Sequence, residues 1–177
     1  KKYKDKLIST INMVIKAKKI SPFFSHLLGQ DGEKKYLILF ANNMELRPGG
    51  GFLGSYGVLT MKNLTFEDLK VYDVYDADGQ LTAHVVPPDP IRDYLSQPHW
   101  FLRDSAFSPD FYDNYFQAKF FLEKEKQLND FSGGILVTTT AIKNILKAFG
   151  DLYIPDFNEK VTSDNFYLKT QLYAEKD

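Results

Sequence analysis

Apolar residues recur at Leu7, Ile8, Ile11, Val14 and Ile15 with lysines filling the opposite positions, a spacing that predicts an amphipathic helix from Tyr3 to Lys19. Ser21-Pro22 should interrupt it, because proline removes a helix donor. Phe23 to Leu28 then predicts a short second helix, closed by the turn sequence Gly29-Gln30-Asp31-Gly32. Tyr36-Leu37-Ile38-Leu39-Phe40-Ala41 runs without a polar interruption, as a strand covered on both faces does, and belongs at the centre of a sheet. After a polar, glycine-rich segment, Tyr56 to Met61 and Leu69 to Val74 predict two further strands, paired as a meander.

From Asp76 to Asp110 the chain is rich in Pro, Asp and Gly and has little periodicity, which is long for a structureless loop and typical of loops that carry function. Ser108-Pro109-Asp110 predicts a helix start with proline at the first helical position, and Tyr115, Ala118, Phe121 and Leu122 mark one face as far as Lys126. Gly134 to Thr138 reads as a short strand, Thr139 or Thr140 as the cap of a helix through Phe149, and Gly150 as its stop. Leu152-Tyr153-Ile154 predicts a last strand, giving a strand–helix–strand tail compatible with a right-handed crossover. Together these elements predict an α/β or α+β domain, a central mixed β-sheet with helices packed on both faces. Residues 1–28 are expected to form an N-terminal helical segment and residues 29–177 one α/β domain.

Composition changes this picture little. At 44% hydrophobic and 25% charged residues the chain should fold, and its 15 Phe and 11 Tyr predict either an aromatic core or a groove lined with rings. A net charge of -1 supplies no field to gather nucleic acid, which disfavours that class of partner. The absence of Cys removes disulfides, zinc–thiolate sites and thiol nucleophiles. No stretch approaches the ~20 apolar residues of a membrane span, and Lys1-Lys2-Tyr3-Lys4 lacks the apolar region of a signal peptide. The first residue is not Met, so a piece of a longer protein, with any membrane anchor upstream, is expected.

Three constellations could carry chemistry. The first is the segment Asn42 to Tyr56, directly after the predicted central strand, where Asn43, Glu45, Arg47 and the glycines Gly49, Gly50 and Gly51 concentrate polar groups at a strand end. Consecutive glycines let backbone N–H groups approach an anion, and Arg47 could add a fork to a phosphate. The alternative is a tight turn, with Arg47 paired to Glu45 or another carboxylate. Neither a Walker loop nor a dinucleotide fingerprint is present. In the second, Asp73 to Gly79, strand alternation would put Asp76 and Asp78 on one side, hard oxygen ligands suited to Mg²⁺ or Ca²⁺, although Asp-Ala-Asp-Gly is also a turn composition. The third is Trp100 to Ser105, where Arg103 and Asp104 lie inside an apolar stretch, as a buried pair or as an anion site. His26, His84 and His99 are scattered without ligand spacing, so neither a zinc site nor a catalytic triad finds support, and Ser55 does not sit in a nucleophile elbow.

Tyr36 to Phe40, Asn42-Asn43, Glu45-Leu46-Arg47-Pro48, Gly50-Gly51-Phe52 and Gly54-Ser55-Tyr56 resemble the bacterial envelope family known as domain of unknown function 4012. Val71 to Gly79, Pro87-Pro88, Trp100 to Asp110, Phe121 to Glu125 and Gly133 to Gly150 look like its later blocks, so the resemblance spans about Gly29 to Asp156. Two departures stand out: Gly49 where the family usually has Thr, and Phe111 to Tyr115 in place of a Pro and small-residue helix start. The resemblance implies an extracytoplasmic domain at the cell envelope, held by a membrane anchor, and brings no settled activity. A more distant similarity to LytR-CpsA-Psr phosphotransferases implies a related fold and a divalent cation, with transfer of glycopolymers from polyprenyl pyrophosphate.

Two expectations follow. In one, Arg47 and Arg103, with Asn43, Glu45, Gly50, Gly51 and Asp104, bind a polyprenyl (pyro)phosphate or glycopolymer, while Asp76 or Asp78 holds Mg²⁺ or deprotonates the acceptor. In the other, the chain is a non-catalytic envelope interaction or structural module in which the same motifs hold the loops together.

Overall fold

The computed structural model describes residues 2–174, so Lys1 of the expected N-terminal segment and residues 175–177 of the expected second domain lie outside the described residues. Helix α1 runs unbroken over Lys2–Leu27 with Pro22 inside it, so the two helices expected on either side of Ser21-Pro22 are one. Pro22 leaves the Lys18 carbonyl without its usual donor. Every described residue from Tyr3 to Phe24 is exposed, so water can take the place of that bond and the break is not enforced.

Four strands form the main sheet in the order β3-β2-β1-β4. Strand β1 (Lys34–Asn42) pairs antiparallel with β2 (Phe52–Lys62), and β2 pairs antiparallel with β3 (Thr65–Asp73), which is the expected meander. Strand β4 (Gly133–Thr138) lies parallel to β1 on its other side, with Ala41 opposite Thr138, so the two carboxyl ends emerge together. Tyr36, Leu37, Ile38 and Leu39 are all buried, as an uninterrupted apolar strand at the sheet centre requires. The parallel pairing needs a crossover, and the chain supplies it with α2 (Val74–Asp78), α3 (Asp89–Leu95), a single 3₁₀ turn at Leu102–Asp104 and α4 (Phe111–Lys126).

The core lies on one face of this sheet. Leu37, Leu39, Ala41, Leu53 and Tyr56 meet Val74 and Ala77 of α2, Leu102 of the 3₁₀ turn, and Ala118, Phe121 and Leu122 of α4. The predicted face of α4 is therefore the buried one, but its start differs from the expectation. The cap is Asp110, whose side chain accepts the Tyr112 N–H, while Ser108 accepts from the Asp110 N–H and bonds to Asp113.

The other face is covered unevenly. Helices α5 (Thr139–Phe149) and α6 (Phe166–Ala174) enclose a small antiparallel ribbon of β5 (Leu152–Ile154) and β6 (Glu159–Val161). Tyr167 and Thr170 of α6 share a cavity with Phe52 and Gly54 of β2. Because β5 pairs with β6 in a separate sheet, the expected last strand does not extend the main one by a crossover. Thr138, one residue earlier than expected, caps α5 by accepting the Ala141 N–H. Away from α6, Val71, Gly57, Ile38 and Ile135 form one row across this face, with Val71 and Ile135 exposed.

Candidate functional site

Three elements of the crossover and the β1–β2 loop bring charges from distant positions into one cluster. Asp78, the last residue of α2, is buried at 6% exposure. One of its carboxylate oxygens accepts the Leu102 N–H at 2.9 Å, and the other pairs with Arg103 Nη1 at 2.9 Å. Arg103 directs Nη2 to Gln97 Oε1 at 3.4 Å and lies over the ring of Phe101, 4.3 Å from its centroid. Asp104, 3% exposed, receives both cations: Arg103 Nε and Arg47 Nη2 each stand 3.7 Å from one of its oxygens. Arg47 reaches in from the β1–β2 loop, where Nη1 donates to the Leu46 carbonyl and the guanidinium lies over Phe52. The alternative in which Arg47 pairs with a carboxylate is realised, and the partner is Asp104 rather than Glu45.

Burial sets the proton affinities here. Loss of hydration pushes Asp78 up to about 6 in spite of Arg103, and raises Asp104 above the usual carboxylate range against the pull of Arg103 and Arg47. Glu125 of α4 is the extreme case. It is buried, neither carboxyl oxygen has a partner, and desolvation with the nearby Asp78 charge pushes it up to about 8. Tyr56, also buried, is raised to about 12 by burial, then by Tyr72, Glu125 and Asp76. Sequence reasoning missed Glu125, although the signal was available: it follows Ala118, Phe121 and Leu122 at helical spacing and so falls on the buried face.

The remaining expected site residues go elsewhere. Residues 74–78 are helical, so the strand alternation proposed for Asp76 and Asp78 does not exist: Asp76 is exposed while Asp78 is buried. In a helix residues two apart face away from each other. The two therefore do not converge as a metal pair, and among the described residues no group of three or more His, Cys, Asp or Glu is placed to hold an ion. Asp73 caps α2 by accepting the Tyr75 N–H. Asn43 bridges the paired strand ends: its Oδ1 accepts from Thr139 Oγ1 and the Thr140 N–H, and its Nδ2 donates to Thr140 Oγ1. Glu45 accepts from Asn42 Nδ2.

The glycines shape a turn. The N–H groups of Gly49, Gly50 and Phe52 bond to the carbonyls of Ala106, Arg47 and Glu45. Gly50 and Gly51 have φ of +112° and +129°, and a Cβ on Gly51 would lie 2.2 Å from the Asn42 carbonyl oxygen. Gly49 is fixed by space: a Cβ would meet Asn114 Nδ2 at 2.1 Å and the Ala106 oxygen at 2.7 Å. The Thr that the resemblance places at this position would overlap the buried Asn114 amide, which itself ties Ser108 through two bonds. One pair runs against the sequence reading. His84 and His99, read as scattered, stand with their Nδ1 atoms 2.5 Å apart.

The chain is thus a mixed α/β domain whose loops at one end of the sheet are closed by a charge-paired cluster. The family model described as protein of unknown function (DUF4012) matches residues 31–173, and the chain belongs to this family. The match runs past Asp156, taking in the β5–β6 ribbon and most of α6. No curated protein and no solved structure matches the chain, so the likeness to LytR-CpsA-Psr phosphotransferases rests on the sequence resemblance alone.

Proposed function

We propose that the chain is a non-catalytic module of the bacterial cell envelope, exported and carried by a membrane anchor on a longer protein, that acts through contact with a protein or glycan partner. The observation that supports this reading is the charge balance of the cluster: two guanidiniums, Arg47 and Arg103, meet two buried carboxylates, Asp78 and Asp104. Phosphoryl transfer needs donors held open for the charge that develops on the transferred group, and a general base needs a carboxylate within reach of the acceptor. At 6% and 3% exposure, Asp78 and Asp104 are poorly placed for the second task. The cluster acts instead as a strut that fastens the β1–β2 loop and the 3₁₀ turn to α2. A contact surface is offered by the second sheet face, where Phe66, Val71 and Ile135 are 61%, 55% and 41% exposed.

Calorimetric titration with inorganic pyrophosphate, with and without Mg²⁺, tests the reading. The expected result is no saturable uptake up to about 1 mM, the weak end of specific binding. Saturable uptake that disappears in Arg47→Ala and Arg103→Ala overturns it. Detection of the full-length protein in the membrane fraction, with this domain open to protease added outside the cytoplasm, tests the location.

One observation favours a second reading, binding of a polyprenyl (pyro)phosphate or its glycopolymer. Both contacts to Asp104 are 3.7 Å, longer than a hydrogen bond, and each Arg side chain keeps 19% of its surface exposed, so the donors could turn to an anion. The residues do not fit the Mg²⁺ of a phosphotransferase: both oxygens of Asp78 already accept from Leu102 and Arg103, and Asp76 does not join it.

A further inference from the structure

The long connection between α2 and α4 is stapled by the Trp100 N–H, which donates to the Val85 carbonyl at 2.8 Å. The staple lays the residues just before Val85 and Trp100 against each other, and these are His84 and His99. Their Nδ1 atoms face at 2.5 Å, with ring centroids 4.4 Å apart and planes at 88°. Both residues are exposed. Two imidazole nitrogens do not meet lone pair to lone pair, so something electrophilic belongs between them, either a single proton or a metal ion.

We infer that His84 and His99 form a two-histidine clamp for one divalent transition-metal ion of the zinc type. Neutral imidazole nitrogen is a ligand suited to zinc, copper and nickel and less so to Mg²⁺ or Ca²⁺. Bonds of about 2.0–2.1 Å at a tetrahedral angle separate the two nitrogens by roughly 3.3 Å. The rings need to part by under about 1 Å, a small rotation for exposed side chains whose backbones the staple already holds. Among the described residues no third His, Cys, Asp or Glu completes a group, so the other positions on the ion are open to water or an incoming ligand. The clamp continues the wall of the charge cluster: the His99 ring stands 6.0 Å from Phe101, the ring that carries Arg103. It does not depend on the module reading above. Periodicity could not reveal it, because the two residues are 15 positions apart in a loop and only the staple makes them neighbours.

Titration of tag-free protein with zinc chloride, by calorimetry and native mass spectrometry, tests the inference. One ion per chain is expected, with micromolar affinity that falls at least about tenfold in His84→Ala and in His99→Ala. His26→Ala, whose ring sits against Asp31, should bind zinc as the parent does. Because His84 and His99 are exposed, both variants should keep the parent's circular dichroism and melting temperature, which separates loss of the ligand from loss of the fold. No uptake at about 1 mM zinc, or uptake that the His84 and His99 variants leave unchanged, overturns the inference.

Discussion

Glu125→Gln should stabilise this protein, and more so as pH rises. The parent carboxyl is buried without a partner and titrates at about 8, against 4.5 for an ordinary Glu. Between those values the folded chain holds a proton that the unfolded chain releases, so stability falls as pH rises. The stability associated with the neutral form is complete below about pH 4.5 and lost as pH climbs through about 8. At pH 7 the cost of keeping the proton is on the order of 3 kcal/mol, and at pH 5 it is below about 1 kcal/mol. Glutamine is neutral in both states, has nearly the same shape, and forfeits no hydrogen bond because neither oxygen makes one. For a chain of 177 residues the pH 7 difference corresponds to roughly 6 to 12 °C in melting temperature. Calorimetric melts of parent and variant at several values between pH 5 and pH 8 read it directly. Asp78, also raised, adds a slope of the same sign up to about pH 6 in both proteins, and above that pH its charge adds to the difference because it is one cause of the Glu125 shift. Parallel melting curves across the range, or a variant destabilised equally at every pH, would refute the reasoning.

Further outcomes follow from the same contacts. Arg103→Ala leaves the buried Asp78 carboxylate with backbone N–H groups and no cation and should cost about 3 kcal/mol at pH 7, less near pH 5 where Asp78 takes a proton; chemical denaturation at the two pH values checks this. Gly49→Thr, the residue the family resemblance suggests, should lower stability by about 2 kcal/mol or more, because its Cβ would overlap the Asn114 amide; a thermal melt would show the drop. Ile135→Lys, on the more exposed part of the second sheet face, should leave the melt within about 0.5 kcal/mol of the parent while abolishing any partner contact made there, read by cross-linking in cells.

The sequence by itself determined the four strands of the main sheet and helices α4 and α5, but not strand β6 or the continuity of α1 through Pro22. The unbroken run at Tyr36 to Ala41 has the pattern of a strand covered on both faces, and the spacing of Ala118, Phe121 and Leu122 fixed the inner face of α4, since burial of apolar surface acts through periodicity within one element. Arg47, Arg103 and Asp104 stood out as charges in unusual surroundings, and the fold does bring them together with Asp78. Only the tertiary structure decided who pairs with whom. A five-residue helix in place of a strand end separated Asp76 from Asp78, a steric clash with Asn114 explained Gly49, and one backbone staple across an aperiodic loop joined His84 to His99. The last two depend on contacts between segments far apart in the chain. Such contacts follow from how the segments pack against each other, which no local periodicity records.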